Sequence, residues 1–140
     1  MPADLLHLLF LCIHNAGRSQ MAAGWARRLA GERAIVYTGG SEPATEVNSV
    51  AVQAMDEVGI DIASQSPRRW SDDELQEATV VVTMGCGDEC PVFPGVCYID
   101  WPLDDPAGQP LEVVRGIRDE IHDRVTALLT EYDVAIEVTS

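Results

Sequence analysis

The chain has 140 residues, 46% of them hydrophobic, and carries 23 acidic residues against 9 basic ones for a formal net charge of −14. Its length accommodates one domain over residues 1–140 with one core, and its acidity excludes a nucleic-acid partner, which clustered positive charge would have to hold. Every basic residue is Arg, so Schiff-base chemistry and a Walker-type phosphate loop are excluded for want of Lys, and the longest apolar stretch, Leu8 to Ile13, is far short of the roughly 20 residues of a membrane helix.

Leu5 to Cys12 is an almost unbroken apolar run, the pattern of a strand buried on both faces of a parallel sheet. From Ser19, Met21, Trp25 and Leu29 recur every four residues, with Arg27, Arg28 and Glu32 off that stripe and Gly31 as the stop, which predicts a helix. Ala34 to Thr38, closed by Gly39–Gly40, reads as a second strand, and Val50, Ala51, Ala54, Met55 and Val58 as a second helix ending at Gly59. Ser71 and Glu74 fit a capping box for a short third helix ahead of a strand from Thr79 to Met84. A loop follows to Gly95, then a fourth strand over Cys97 to Trp101 and an acidic loop from Pro102 to Pro110. The last helix shows Leu111, Val114, Ile117, Ile121, Val125, Leu128 and Tyr132 on one stripe, with Arg115, Arg118, Asp119, Glu120 and Asp123 outside it. Residues 133–140 form a tail that frays or adds an edge strand. Alternating strands and helices predict a doubly wound α/β fold with a mainly parallel, four-stranded sheet flanked by helices.

Open α/β sheets bind ligands at the carboxyl ends of their strands, so the loop after the first strand is the first candidate site. It reads Cys12–Ile13–His14–Asn15–Ala16–Gly17–Arg18–Ser19. The backbone N–H groups of such a turn can converge as a nest, and the following helix adds the partial positive charge of its N-terminus, so residues 13–19 form a candidate oxyanion cradle. Cys12 at its mouth is a candidate nucleophile, and Arg18 a two-pronged clamp for charge developing in a transition state. Asn15 tolerates left-handed backbone, and Ser19 can hydrogen-bond the cysteine sulfur, cap the helix, or do both. His14 is given no side-chain role, because neighbours in a tight loop usually point apart. The bland alternative is a small buried cysteine followed by a solvated arginine.

Cys12 to Arg18 with Ser19–Gln20–Met21–Ala22 resembles the anion loop of the low-molecular-weight tyrosine phosphatase superfamily, and in particular its arsenate reductase branch. Asp104–Asp105–Pro106–Ala107–Gly108 and the segment from Thr83 to Pro91 resemble the same branch, in the same order. The resemblance implies catalysis by Cys12, Arg18 and Asp105: the thiolate attacks arsenate and Asp105 protonates the leaving oxygen. Pro106 holds Asp105 extended, and Asp104 is structural. Phosphatases of this superfamily follow the Asp–Pro pair with aromatic walls for a phenyl ring. Here Ala107 and Gly108 stand instead, which suits a small inorganic oxyanion. A tyrosine phosphatase and a non-catalytic oxyanion-binding module are the alternatives.

The resemblance also implies that thiols supply the electrons, with no bound cofactor. Either a small thiol such as mycothiol attacks the arsenic adduct and mycoredoxin completes the reduction, or Cys86 and Cys90 relay the electrons for thioredoxin. Three residues separate Cys86 from Cys90, fewer than in the thioredoxin-coupled branch, which favours the mycothiol type. Zinc at Cys86, Cys90 and Cys97 lacks a second paired knuckle, so no metal is expected, and Cys97, alternating with Ile99, is expected to pack. A start without a cationic segment and thiols left unpaired point to the cytoplasm and to no membrane partner.

Overall fold

The computed structural model describes residues 5–84 and 94–134. Strand β1 spans Leu6–Cys12, helix α1 Arg18–Ala30, β2 Ala34–Gly40, α2 Ser49–Asp56, α3 Asp72–Glu77, β3 Val80–Thr83, β4 Cys97–Asp100 and α4 Leu111–Glu131, with a 3₁₀ turn over Gly31–Arg33. The four strands form one sheet in the order β2-β1-β3-β4, and all the pairings are parallel. β1 and β2 run in register from Leu6 opposite Ala34 to Cys12 opposite Gly40. β1 thus lies inside the sheet, with the chain winding to one side through α1 and to the other through the later helices. That reversal opens a crevice at its carboxyl end, where Cys12 stands.

β1 is apolar at every second position on both faces because both faces are covered. Leu8, Phe10 and Cys12 join Val80 and Val82 in the larger cluster with α1, α2 and α4. Leu9, Leu11 and Val81 meet Trp70, Leu75 and Ala78 on the α3 side. Burying a side chain such as Phe10, which has no exposed surface, stabilises the fold by about 1.5–3 kcal/mol. α1 is buried more broadly than its four-residue stripe predicts: Arg18 through Gly24 are all covered. Small residues permit it, since a Cβ on Gly24 would already lie 3.0 Å from Ile60 and 3.2 Å from Ile62. The Ser71–Glu74 capping box is formed in both directions. α4 ends as Asp133 turns left-handed at φ 59 and the Val134 N–H reaches the Leu129 carbonyl at 2.9 Å.

Two sequence expectations require correction. Arg118, expected on the solvent side of α4, has a side chain only 11% exposed and lies along α2, donating to the Ala54 carbonyl at 2.9 Å and to Glu57 at 3.0 Å. A guanidinium on a long apolar stem can end a buried stripe that a charge-based reading closes one residue too early. Cys97, expected to pack, is exposed, because β4 is the edge strand and Cys97 its first residue. Its neighbour Tyr132 has its phenol raised above the ordinary range by the Cys97 thiol and by burial. No described helix is long and apolar enough to cross a membrane. Cys86, Cys90 and residues 135–140 lie outside the described residues.

Candidate active site

The loop after β1 is shaped by what its carbonyls do. The Ile13, His14 and Ala16 carbonyls accept from the backbone N–H groups of Glu42, Ala44 and Asn48 at 2.8, 3.0 and 2.8 Å. The Asn15 carbonyl accepts from Gln20 Nε2 at 3.0 Å, and that of Gly17 from Met21 at 2.9 Å. The carbonyls of five successive residues are thus engaged, whereas no hydrogen bond to a protein acceptor is made by the N–H groups of His14 to Arg18 among the described residues, which leaves them available to an anion. This is the arrangement of an anion nest. β2 abuts it so closely that a Cβ on Gly40 would lie 2.6 Å from the Ile13 carbonyl oxygen, which explains why a strand here ends in glycine.

Asn15 organises the interior. It is fully buried at φ 50, a conformation asparagine adopts more readily than most residues. Its Oδ1 accepts the backbone N–H of Arg68 at 2.9 Å, Gln20 Nε2 at 3.2 Å and Thr38 Oγ1 at 3.4 Å. An oxygen that receives an N–H fixes the flip of the amide, so Nδ2 donates to Ser19 Oγ at 2.7 Å. Ser19 Oγ lies 3.0 Å from Cys12 Sγ. Of the two roles open to Ser19 the structure forms the sulfur contact. The cap position is Gly17, which makes no side-chain bond.

Arg18 is 8% exposed. Its Nη1 donates to the Leu103 carbonyl at 3.3 Å, and its Nη2 lies 3.7 Å from Asp105 Oδ2. Asp105 is half exposed, and its Oδ1 accepts the Ala107 N–H at 3.0 Å, which holds the carboxyl over the loop. Pro106 is seated directly on Gly17: a Cβ there would come within 2.6 Å of Pro106 Cγ. Cys12, His14, Ala16, Gly17, Arg18, Asn48, Asp105, Pro106 and Ala107 line one cavity of about 40 Å³. Its described lining contains one arginine, Arg18, and no Phe, Tyr or Trp. His14 is among the residues of that lining. Its Nδ1 lies 3.0 Å from the Glu42 carbonyl.

The structure therefore brings Cys12, Arg18 and Asp105 around one small cavity, with the amides of the loop beneath. Cys86 and Cys90 lie outside the described residues. The sequence reading missed the support of this site: Thr38, Gln20 and Arg68 meet at Asn15 from three other parts of the chain. Only the polarity of Gln20 and Thr38 within otherwise apolar elements could have signalled it. Among the described residues, no group of three His, Cys, Asp or Glu side chains converges as a metal site.

Residues 7–92 match the low molecular weight phosphotyrosine protein phosphatase family. The chain is 39% identical over 131 residues to an arsenate reductase of Staphylococcus epidermidis, covering 91% of this chain and 98% of that protein. It is 43% identical over 122 residues to an arsenate reductase of Bacillus cereus, covering 84% and 90% of the two chains. A thioredoxin-dependent arsenate reductase of Corynebacterium glutamicum superposes with a TM-score of 0.82 at 34% identity over 94% of this chain. This chain spans 63% of that longer one.

Proposed function

The chain belongs to the low molecular weight phosphotyrosine protein phosphatase family, its relatives there include arsenate reductases, and on that premise we propose that it reduces arsenate to arsenite by thiol chemistry at Cys12. The observation that carries the proposal is the cavity of about 40 Å³ in which Cys12, Arg18 and Asp105 meet with residues of the loop, and whose described lining holds no Phe, Tyr or Trp. That volume suits a small tetrahedral oxyanion, and the lining presents no Phe, Tyr or Trp face to a phenyl ring. Arsenate oxygens would take the loop N–H groups and Arg18. The Cys12 thiolate then forms a bond to arsenic, one arsenic–oxygen bond breaks, and the departing oxygen leaves as water with the proton of Asp105. With Cys12 as thiolate, which can only accept, Ser19 donates its O–H hydrogen bond to the sulfur and keeps its proton.

A second thiol must then act on the adduct. In the reading we prefer it is a small one, mycothiol: it takes the arsenic from Cys12, which leaves as thiolate, and a further thiol delivered by mycoredoxin reduces As(V) to As(III) as the two sulfurs join in a disulfide. The short Cys86–Cys90 spacing supports this. A thioredoxin-coupled relay has an observation of its own. The C. glutamicum relative is thioredoxin-dependent. Arsenate is supplied with mycothiol and mycoredoxin, or with thioredoxin, each with its reductase, and NADPH consumption is followed. Turnover with the first pair only is the expected result. Turnover with thioredoxin only, lost in Cys86→Ser, selects the relay, and none with either ends the arsenate reading.

A further inference from the structure

Arg68 is fixed by its backbone and by its side chain. Its N–H donates to Asn15 Oδ1 at 2.9 Å, its carbonyl accepts the Gly40 N–H at 2.9 Å, and its Nη1 donates to the Thr38 carbonyl at 2.8 Å. The same guanidinium pairs with Glu74, Nη2 reaching Oε2 at 3.1 Å and Nη1 lying 3.0 Å from Oε1. Thr38 and Gly40 belong to β2, an edge strand of the sheet, and Arg68 takes up groups that an edge would otherwise leave to solvent. Glu74 is held in turn: its Oε1 accepts the Ser71 N–H at 3.2 Å in the capping box of α3, and its side chain is 17% exposed. From the Arg68 N–H a continuous path runs to the nucleophile, through Asn15 Nδ2 to Ser19 Oγ at 2.7 Å and from Ser19 to Cys12 Sγ at 3.0 Å.

We propose that Arg68, clamped by Glu74, is a positioning residue for Cys12. By fixing the point at which its own N–H meets Asn15, it sets the direction in which Ser19 presents its hydroxyl to the thiolate. The proposal rests on Cys12 as the attacking group in the reading above and extends the support of that site to α3. Asn15 Oδ1 also takes Gln20 at 3.2 Å and Thr38 at 3.4 Å, both longer than the Arg68 bond, so residue 68 orients the amide most closely. A guanidinium suits the role because its flat fork reaches a carbonyl and a carboxylate at once, whereas an ammonium is a single point charge. A partly exposed ion pair by itself contributes little. What separates this pair from Arg124 with Glu120 is that its backbone ends at the amide that carries Ser19.

The test follows alkylation of Cys12 by iodoacetamide at pH 7, read by mass spectrometry, in the full chain and in Arg68→Ala, Arg68→Lys, Glu74→Gln, Ser19→Ala and the double variant Arg68→Ala with Ser19→Ala. Arg68→Ala is expected to slow Cys12 by about threefold or more, less than the loss of Ser19 itself, because a hydrogen bond is misaligned and not removed. Arg68→Lys keeps the charge and reaches one of the two partners, so it should recover part of the rate. Glu74→Gln still offers an oxygen to the Ser71 N–H and should lose less than Arg68→Ala. In the Ser19→Ala background Arg68→Ala should cost nothing further, since the path it acts through is gone. An unchanged or faster rate in Arg68→Ala, or a loss that adds in full to that of Ser19→Ala, overturns the proposal. Should Arg68→Ala fail to fold, wild-type rates in both Arg68→Lys and Glu74→Gln overturn it. Equal rates across these variants with arsenate turnover intact remove Arg68 alone, whereas no arsenate turnover with either reductant ends the arsenate reading and leaves the alkylation series standing, so the two failures are distinguishable.

Discussion

Ser19 Oγ receives the Asn15 amide at 2.7 Å, and to a Cys12 thiolate, which can only accept, it donates its O–H across 3.0 Å. A hydrogen bond to a charged group is worth about 1.5–3 kcal/mol, which is about tenfold or more in the population of the form it favours. Ser19→Ala should therefore slow alkylation of Cys12 by iodoacetamide near pH 7 by about tenfold, read by mass spectrometry, with Cys12→Ser as the unreactive control. Unchanged alkylation would assign Ser19 to packing. Asn15 carries a different weight. Removing its amide strands the Arg68 N–H and takes the donor from Ser19 Oγ, while Gln20 Nε2 keeps the backbone carbonyl, and the new residue must hold φ 50. Each stranded group costs about 1–3 kcal/mol and the left-handed backbone about 1–2 kcal/mol. Asn15→Ala is expected to lower unfolding free energy by about 3 kcal/mol or more in urea at unchanged slope, and to abolish turnover.

Elements meet the site through glycines and one ion-pair cluster. Gly17→Ala sets a methyl group 2.6 Å from Pro106 Cγ, so the loop carrying Asp105 must lift while the amides beneath stay in place. kcat should fall while the inhibition constant of a competing oxyanion changes little, and a parallel loss of both would locate the damage in the anion loop itself. α2 and α4 are joined by Glu57, which takes Arg115 through two bonds of 2.9 and 2.6 Å and Arg118 at 3.0 Å. These arginines hold the Glu57 carboxyl down to about 2 from an ordinary 4.5. A depressed carboxylate stabilises the fold above its unfolded value and loses that contribution as pH falls from about 4.5 towards 2. Glu57→Gln should be less stable than wild type at pH 6, and its melting temperature should fall less between pH 5 and pH 2.5. Most elements were legible, because β1 is apolar at every position from Leu8 to Cys12 and α4 repeats every three to four. The Glu57 cluster was illegible, because Arg118 stands in sequence among ordinary surface charges. Cys97 was misread because alternation along a strand does not tell an edge from an interior.

At the scale of the whole molecule, the same division explains what could be read of the site. Cys12, Arg18 and Asp105 lie in local motifs, whereas Asn15 acquires its function from Thr38, Gln20 and Arg68, which only the fold brings together. The nine arginines are likewise dispersed. Arg27, Arg28 and Arg69 cap backbone carbonyls of Val36, Gly59 and Ser41, and Arg68, Arg115, Arg118 and Arg124 pair with carboxylates. A net charge of −14 thus has no opposing basic face, and an anion approaching from a distance meets repulsion until it reaches the loop amides and Arg18. Salt distinguishes the two ranges. The screening length is about 30 Å at 0.01 M and about 8 Å at 0.15 M, so physiological salt removes the distant carboxylates from the field at the mouth and leaves the contacts inside it. kcat/KM for arsenate should therefore rise by about two- to fivefold as potassium chloride goes from about 10 to about 150 mM, with kcat nearly constant. Steering by a positive surface would make it fall. A fall would place attraction ahead of repulsion at the mouth and show that the acidic surface is not what limits the approach of the substrate.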